Sequence, residues 1–112
     1  MAYDVDLAHR IRAIVGSEAG LSEQAMFGGL AFLINGNMAV AASGQGGLLL
    51  RVDPAQTEKL VVSAEAARFE MRGRAMDGWL RIDTDGLDAR RFRSWVGRGV
   101  TYARSLPPKK PK

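Results

Sequence analysis

The sequence has no cysteine and only one histidine, His9. The first absence excludes disulfides and thiolate chemistry. The second leaves a Ser-His-Asp type of centre with one possible base. His9 lies off the apolar stripe of the first helix, on the side toward water, where it reads as an ordinary surface residue. Zinc needs several His or Cys ligands, so no metal site is expected. No run of about eighteen apolar residues occurs, which argues against a membrane-spanning helix. The opening MAYDVDLAHR lacks a basic stretch followed by an apolar one, so no signal peptide is expected. A cytoplasmic setting fits these absences. Acid is missing too, but only from one part of the chain. From Arg90 onward there are eight bases and no acid, whereas residues 1–89 carry eight bases and twelve acids. Such a split marks a surface for an acidic partner or nucleic acid, or simply a solvated helix and tail.

What is present fits one domain of 112 residues. Leu7, Ile11, Ile14 and Val15 recur at helical spacing and predict a first helix over residues 5–15, with Asp4 as its cap and Gly16 at its end. Residues 17–24 read as a polar connection. Two apolar stretches, 25–34 and 37–43, flank Asn35-Gly36. Both turn residues tolerate positive φ, so the pattern predicts a tight β-hairpin. Gly28 and Gly29 inside the first stretch suggest a bulge or a close strand approach. The flexible segment 43–47, which includes Gln45, leads to a third strand over 48–52. These strands are apolar on both faces. Helices are expected to cover one side, and a partner chain is a candidate cover for the other.

Asp53-Pro54 has the chemistry of a helix start, with Leu60 and Val61 as buried candidates and residues 63–67 as its end. Short strands at 68–71 and 79–82 flank segment 72–78, which includes Arg72. A final helix over 88–104 places Phe92, Trp95, Val96, Gly99, Val100 and Ala103 on one arc. Arg90, Arg91, Arg93, Arg98 and Arg104 flank or oppose that arc. Gly99 sits on the arc and predicts close backbone packing. Residues 107–112 form a basic Pro/Lys tail, expected to be disordered. The predicted fold is a single α+β domain over residues 1–106, ordered α-β-β-β-α-β-β-α, with a mainly antiparallel sheet packed by helices.

Two glycine-containing stretches do not amount to ligand sites. Gly44-x-Gly46-Gly47 joins two strands, whereas a phosphate loop must open a helix. Asp83-x-Asp85-Gly86 lacks the spacing and distal glutamate of a calcium loop. It reads better as a turn placing acids at the positive end of a helix.

Three stretches in order resemble one family. They are Met26-Phe27-Gly28-Gly29-Leu30-Ala31-Phe32 running into Asn35-Gly36-Asn37-Met38, then Leu48-Leu49-Leu50-Arg51-Val52, then Gly73-Arg74-Ala75-Met76-Asp77-Gly78-Trp79. Together with Trp95 and the ending Ser105-Leu106-Pro107-Pro108-Lys109, they resemble the N-terminal domain of the bacterial TfoX/Sxy competence regulators, over roughly residues 8–109. The C-terminal domain of the two-domain members has no counterpart in these 112 residues. The resemblance implies an α+β fold. It also implies a regulatory role beside a DNA-binding transcription factor, as the two-domain members play in natural transformation.

The expected function is a non-enzymatic regulatory or interaction module, binding a protein partner, a transcription factor by analogy with the family, or nucleic acid weakly and without sequence preference. The alternatives are a small-molecule binder or small enzyme using the glycine-rich hairpin and residues 73–79, and a structural homodimer. Arg51, Arg74, Arg90, Arg91 and Arg93 are the candidate partner-binding residues, because a planar guanidinium suits phosphate and carboxylate. Met26, Phe27, Leu30, Phe32, Trp79 and Trp95 are expected in the core. No catalytic residue and no cofactor is assigned. A deep pocket lined by Arg51 and Arg74 would favour a small-molecule site. A broad flat apolar face would favour a dimer, and an uninterrupted basic face on the last helix would favour nucleic acid.

Overall fold

The computed structural model describes residues 3–26, 28–44, 46–71 and 73–108, with Met71 described in its backbone only. Phe27, Gln45, Arg72 and residues 109–112, on which several expectations fell, lie outside the described residues.

The first helix forms where the apolar stripe predicts. Helix α1 spans Val5–Val15, and the Asp4 carboxylate accepts the Leu7 amide at 3.1 Å. Its stripe of Leu7, Ala8, Ile11 and Val15 is buried. Six strands then build one antiparallel sheet: β1 Leu21–Met26, β2 Gly29–Ile34, β3 Asn37–Ala42, β4 Leu48–Arg51, β5 Ala66–Met71 and β6 Arg74–Ile82, in the order β1-β2-β3-β4-β6-β5. Between β4 and β5, a 3₁₀ turn at Pro54–Gln56 runs into a one-turn helix α2 at Thr57–Leu60. Helix α3 covers Ala89–Ser105, capped by the Asp88 carboxylate on the Arg91 amide at 2.8 Å.

The fold class is the predicted one, with a sixth strand that the pattern did not reveal. The apolar stretch 25–34 is two strands. Gly28 turns the chain with φ +73°, and the polar connection 17–24 supplies most of β1. Strand β1 is largely exposed at the sheet edge, so the apolar alternation that betrays a strand is missing from it. Gly29 is the close approach: a Cβ there would collide with the carbonyl oxygen of Ala42. Segment 72–78, expected to lie between two short strands, is mostly strand itself, because β6 begins at Arg74. The expected tail of the second helix, 63–67, instead enters β5, which begins at Ala66.

Two irregularities shape the sheet. Phe32 pairs with Val40 and Leu33 with Met38, leaving Ala39 as an extra residue in β3. Arg68 pairs with Leu80 and Phe69 with Met76, so Asp77, Gly78 and Trp79 fall between two successive register pairs as a bulge in β6, across which Arg68 Nε donates to Asp77 Oδ1 at 3.0 Å. Bulges bend and twist a strand. The second one also receives the chain after β4. The Gly78 amide donates to the buried Thr57 hydroxyl at 2.7 Å, and the Gly78 carbonyl accepts from Val52 at 2.9 Å.

One face of the sheet carries Phe32, Ile34, Val40, Leu48, Leu50, Leu80 and Ile82 against α1 and α3, with Trp95, Phe92 and Val96 closing the main core. The opposite face buries Ala31, Leu33, Met38, Ala41 and Leu49, packed by the chain's own Met26, Phe69 and Trp79. Val5 and Val62 are the large hydrophobic side chains left exposed among the described residues. On the second face Met26, Phe69 and Trp79 are themselves only half-buried.

Candidate binding surface

Helix α3 presents the charged surface. Its buried arc of Phe92, Trp95, Val96, Gly99 and Ala103 fixes the helix on β3 and β4, turning the arginines outward. The structure separates the five predicted site residues. Arg90 and Arg93 are exposed neighbours on α3, and neither makes an ion pair among the described residues. Arg91 is committed elsewhere. Its Nε donates to Glu65 Oε2 at 3.1 Å, and its Nη2 contacts the same oxygen. That oxygen also accepts the indole Nε1 of Trp95 at 3.0 Å. The Glu65 side chain is only 13% exposed. Donation from Arg91, then from Trp95, pushes its carboxyl down to about 2. The same contact raises the Arg91 guanidinium above its ordinary value.

Arg51 ends β4 opposite Trp79, with its guanidinium 5.4 Å from the Trp79 ring centre and 5.9 Å from that of Tyr102. Both are cation–π distances. Arg74 opens β6 at the hairpin tip and is exposed. Neither arginine lines any of four clefts found among the described residues. The pocket that would join Arg51 to Arg74 is therefore not among them.

Other arginines brace the helices. Arg12 on α1 grips Glu23 on β1 through Nε at 2.7 Å and Nη2 at 2.8 Å, which lowers the Glu23 carboxyl and raises the guanidinium. Arg104 ties the end of α3 to Glu18 at 2.6 Å and to the Ala19 carbonyl at 3.2 Å. Arg10 lies 4.0 Å over the Phe92 ring. After α3, the buried Asn37 donates from Nδ2 to the Pro107 carbonyl at 3.0 Å.

Sequence reasoning missed Glu65 and its neighbours. Glu65 sat in a stretch read as the end of a helix. The available signal was Arg91 and Trp95 four apart on α3, a spacing that places two donors on one side of a helix. The cleft beside them, of about 440 Å³ between α2 and α3, is lined by Lys59, Ser63, Arg91, Ser94 and Arg98 among others. No group of three or more His, Cys, Asp or Glu that could hold a metal is found among the described residues. No helix among them is long and apolar enough to cross a membrane.

These features define a small α+β domain with all its helices on one face of an antiparallel sheet and a basic outer surface. The TfoX N-terminal domain family matches residues 14–103, most of the chain, and the protein belongs to that family. No curated protein and no solved structure matches it.

Proposed function

We propose that the chain is a non-enzymatic interaction module of the competence-regulator type, docking an acidic protein surface through the exposed start of α3. The observation that carries this reading is the pair Arg90 and Arg93. Both are exposed and outside any ion pair among the described residues, and they belong to a segment without a single acid. Kinship with regulators that work beside a transcription factor supports a protein as the partner. The outer side of α3 supports it as well. Ser94, Gly97 and Thr101 interrupt its arginines, so the helix lacks the continuous basic face suited to a phosphate backbone.

The test is titration with a labelled Glu/Ser-rich peptide and with duplex DNA, at low and physiological salt. The peptide should bind the wild type, and Arg90→Glu/Arg93→Glu should abolish binding without lowering the melting temperature. DNA should bind on the order of 10⁻⁴ to 10⁻⁶ M, without sequence preference and with steep loss in salt. Peptide binding that is unchanged in the double variant overturns the reading. Salt-resistant binding of one DNA sequence overturns it in favour of a nucleic-acid reader.

A further inference from the structure

We propose that the cleft between α2 and α3 is a binding site for a small organic phosphate monoester. It takes the phosphate between Lys59 and Arg98 and the apolar body of the ligand in the adjoining groove. This site is separate from the Arg90/Arg93 surface and does not rest on its role.

The first argument is charge. Lys59, Arg91 and Arg98 line the cleft with no carboxylate among its lining residues, and Ser63, Ser94 and Gln56 add neutral hydrogen-bonding groups. Glu65 stands behind Arg91 and stays ionised down to about pH 2, so it offsets one of the three positive charges. Two remain, which matches a phosphate monoester of about −1.5 to −2 charge at pH 7.

The second argument is preorganisation. Glu65 holds Arg91 through two nitrogens. Arg98 lies 5.5 Å over the ring of Trp95, which is itself only 5% exposed and pinned through Nε1 by the same Glu65. Two guanidinium groups are thus placed before any ligand arrives, which reduces the ordering cost of binding. Lys59, exposed on α2, supplies the mobile third charge.

The third argument is shape. A second cleft of about 390 Å³ continues from the first, sharing Gln56, Leu60 and Arg98, and its walls include Val52, Gly97 and Tyr102. Both volumes fall in the range of small-molecule sites. Asp53 is its one acid, and that carboxylate already caps the Ala55 amide at 2.9 Å. The acid disfavours the phosphate at that end and so orients the ligand. Gly97 is the telling residue. It weakens α3, yet among the described residues, its chain neighbours and its own helix backbone aside, no atom lies within 4 Å of where its Cβ would sit, so no packing among them demands a glycine. Gly97 lines this groove, and also the cleft toward Ile14 and Arg104. A local rule broken without a structural reason is expected at a functional site.

The test is calorimetric titration of the full chain with phenyl phosphate, inorganic phosphate and benzyl alcohol, with amide-shift mapping on the wild type. Phenyl phosphate should bind about tenfold more tightly than inorganic phosphate, since its ring is removed from water. It should shift Lys59, Ser94 and the Trp95 indole signal. Lys59→Gln/Arg98→Gln should lose binding of both phosphates. Gly97→Leu should keep inorganic phosphate but reduce phenyl phosphate to the same level. Arg90→Glu/Arg93→Glu should leave both unchanged, which separates this site from the docking surface. Equal affinity of the wild type for the two phosphates overturns the proposal. So does mapping that moves Arg90 and Arg93 instead of the cleft, a readout that needs no variant to fold.

Discussion

Gly99 on α3 rests directly on Ala39, the extra residue of the β3 bulge. A Cβ on Gly99 would collide with the Ala39 carbonyl oxygen and stand 2.7 Å from Leu50 Cδ1. The bulge and the glycine thus form one feature, in which the helix lies close against the strand because neither side carries an obstructing side chain. Gly97, two residues earlier, has no such neighbour. Gly99→Ala should therefore lose about 1–3 kcal/mol through overpacking. Gly97→Ala should gain up to about 1 kcal/mol from helix propensity. Urea melts of the two variants check this, and equal effects would mean that α3 does not bear on β3 at Gly99.

The turn between β2 and β3 yields a second expectation. Asn35 has φ +53° and Gly36 φ +83°, and Ile34 pairs with Asn37 across a two-residue loop. Asparagine enters this region readily and a β-branched residue does not. Gly36→Val should cost about 1–3 kcal/mol, whereas Gly36→Asn should cost much less. A wild-type melting temperature for the valine variant would contradict the turn.

His9 lies exposed on α1. His9→Ala should change stability by no more than about 0.5 kcal/mol. The same variant should bind the acidic peptide as the wild type does. Loss of either property would reveal a role for the imidazole that its position does not suggest.

The elements legible in the sequence were those whose burial leaves a periodic trace. Helices α1 and α3 were readable because Leu7, Ile11 and Val15, and Phe92, Val96 and Ala103, recur at helical spacing. Asp4 caps the first as its chemistry suggests, whereas Asp88, read as the first residue of the last helix, is its cap. Strand β1 was hidden because Ser22, Glu23, Gln24 and Ala25 are all exposed at an edge. The one-turn α2 was overextended because Asp53-Pro54 announces a start without fixing a length. Its anchor is Thr57, a hydroxyl that bonds a backbone amide 21 residues away and leaves no local pattern. The binding surface was only half readable for the same reason. The arginines of α3 are visible as a run, but only the fold shows that Arg91 is spent on Glu65 while Arg90 and Arg93 are not.

The contact of Glu65 with Arg91 and Trp95 gives the folded chain a defined acid sensitivity. Glu65 titrates near 2 when folded, against an ordinary value of 4.5, chiefly because Arg91 and then Trp95 donate to its ionised form. A carboxyl with a depressed folded value binds protons more readily when unfolded, so acid favours unfolding through it. Its contribution is complete above about pH 4.5, declines as the pH falls, and is gone by about pH 2. Glu23, lowered by Arg12, adds a decline of the same sign, so the wild-type profile alone does not isolate Glu65. The difference between wild type and Glu65→Gln does. The amide keeps an oxygen to accept from Trp95 or Arg91 but carries no charge to lose. Urea melts should show the variant less stable at pH 7, with the gap narrowing below about pH 4.5 and closing near pH 2. Glu23→Gln, measured in parallel, should leave the Glu65-dependent gap intact, because Glu23 lies on β1 at one edge of the sheet and Glu65 directly precedes β5 at the other. A gap that stays constant across this range would mean the carboxylate serves by shape alone. It would also remove the negative charge that fixes Arg91 beside the α2–α3 cleft.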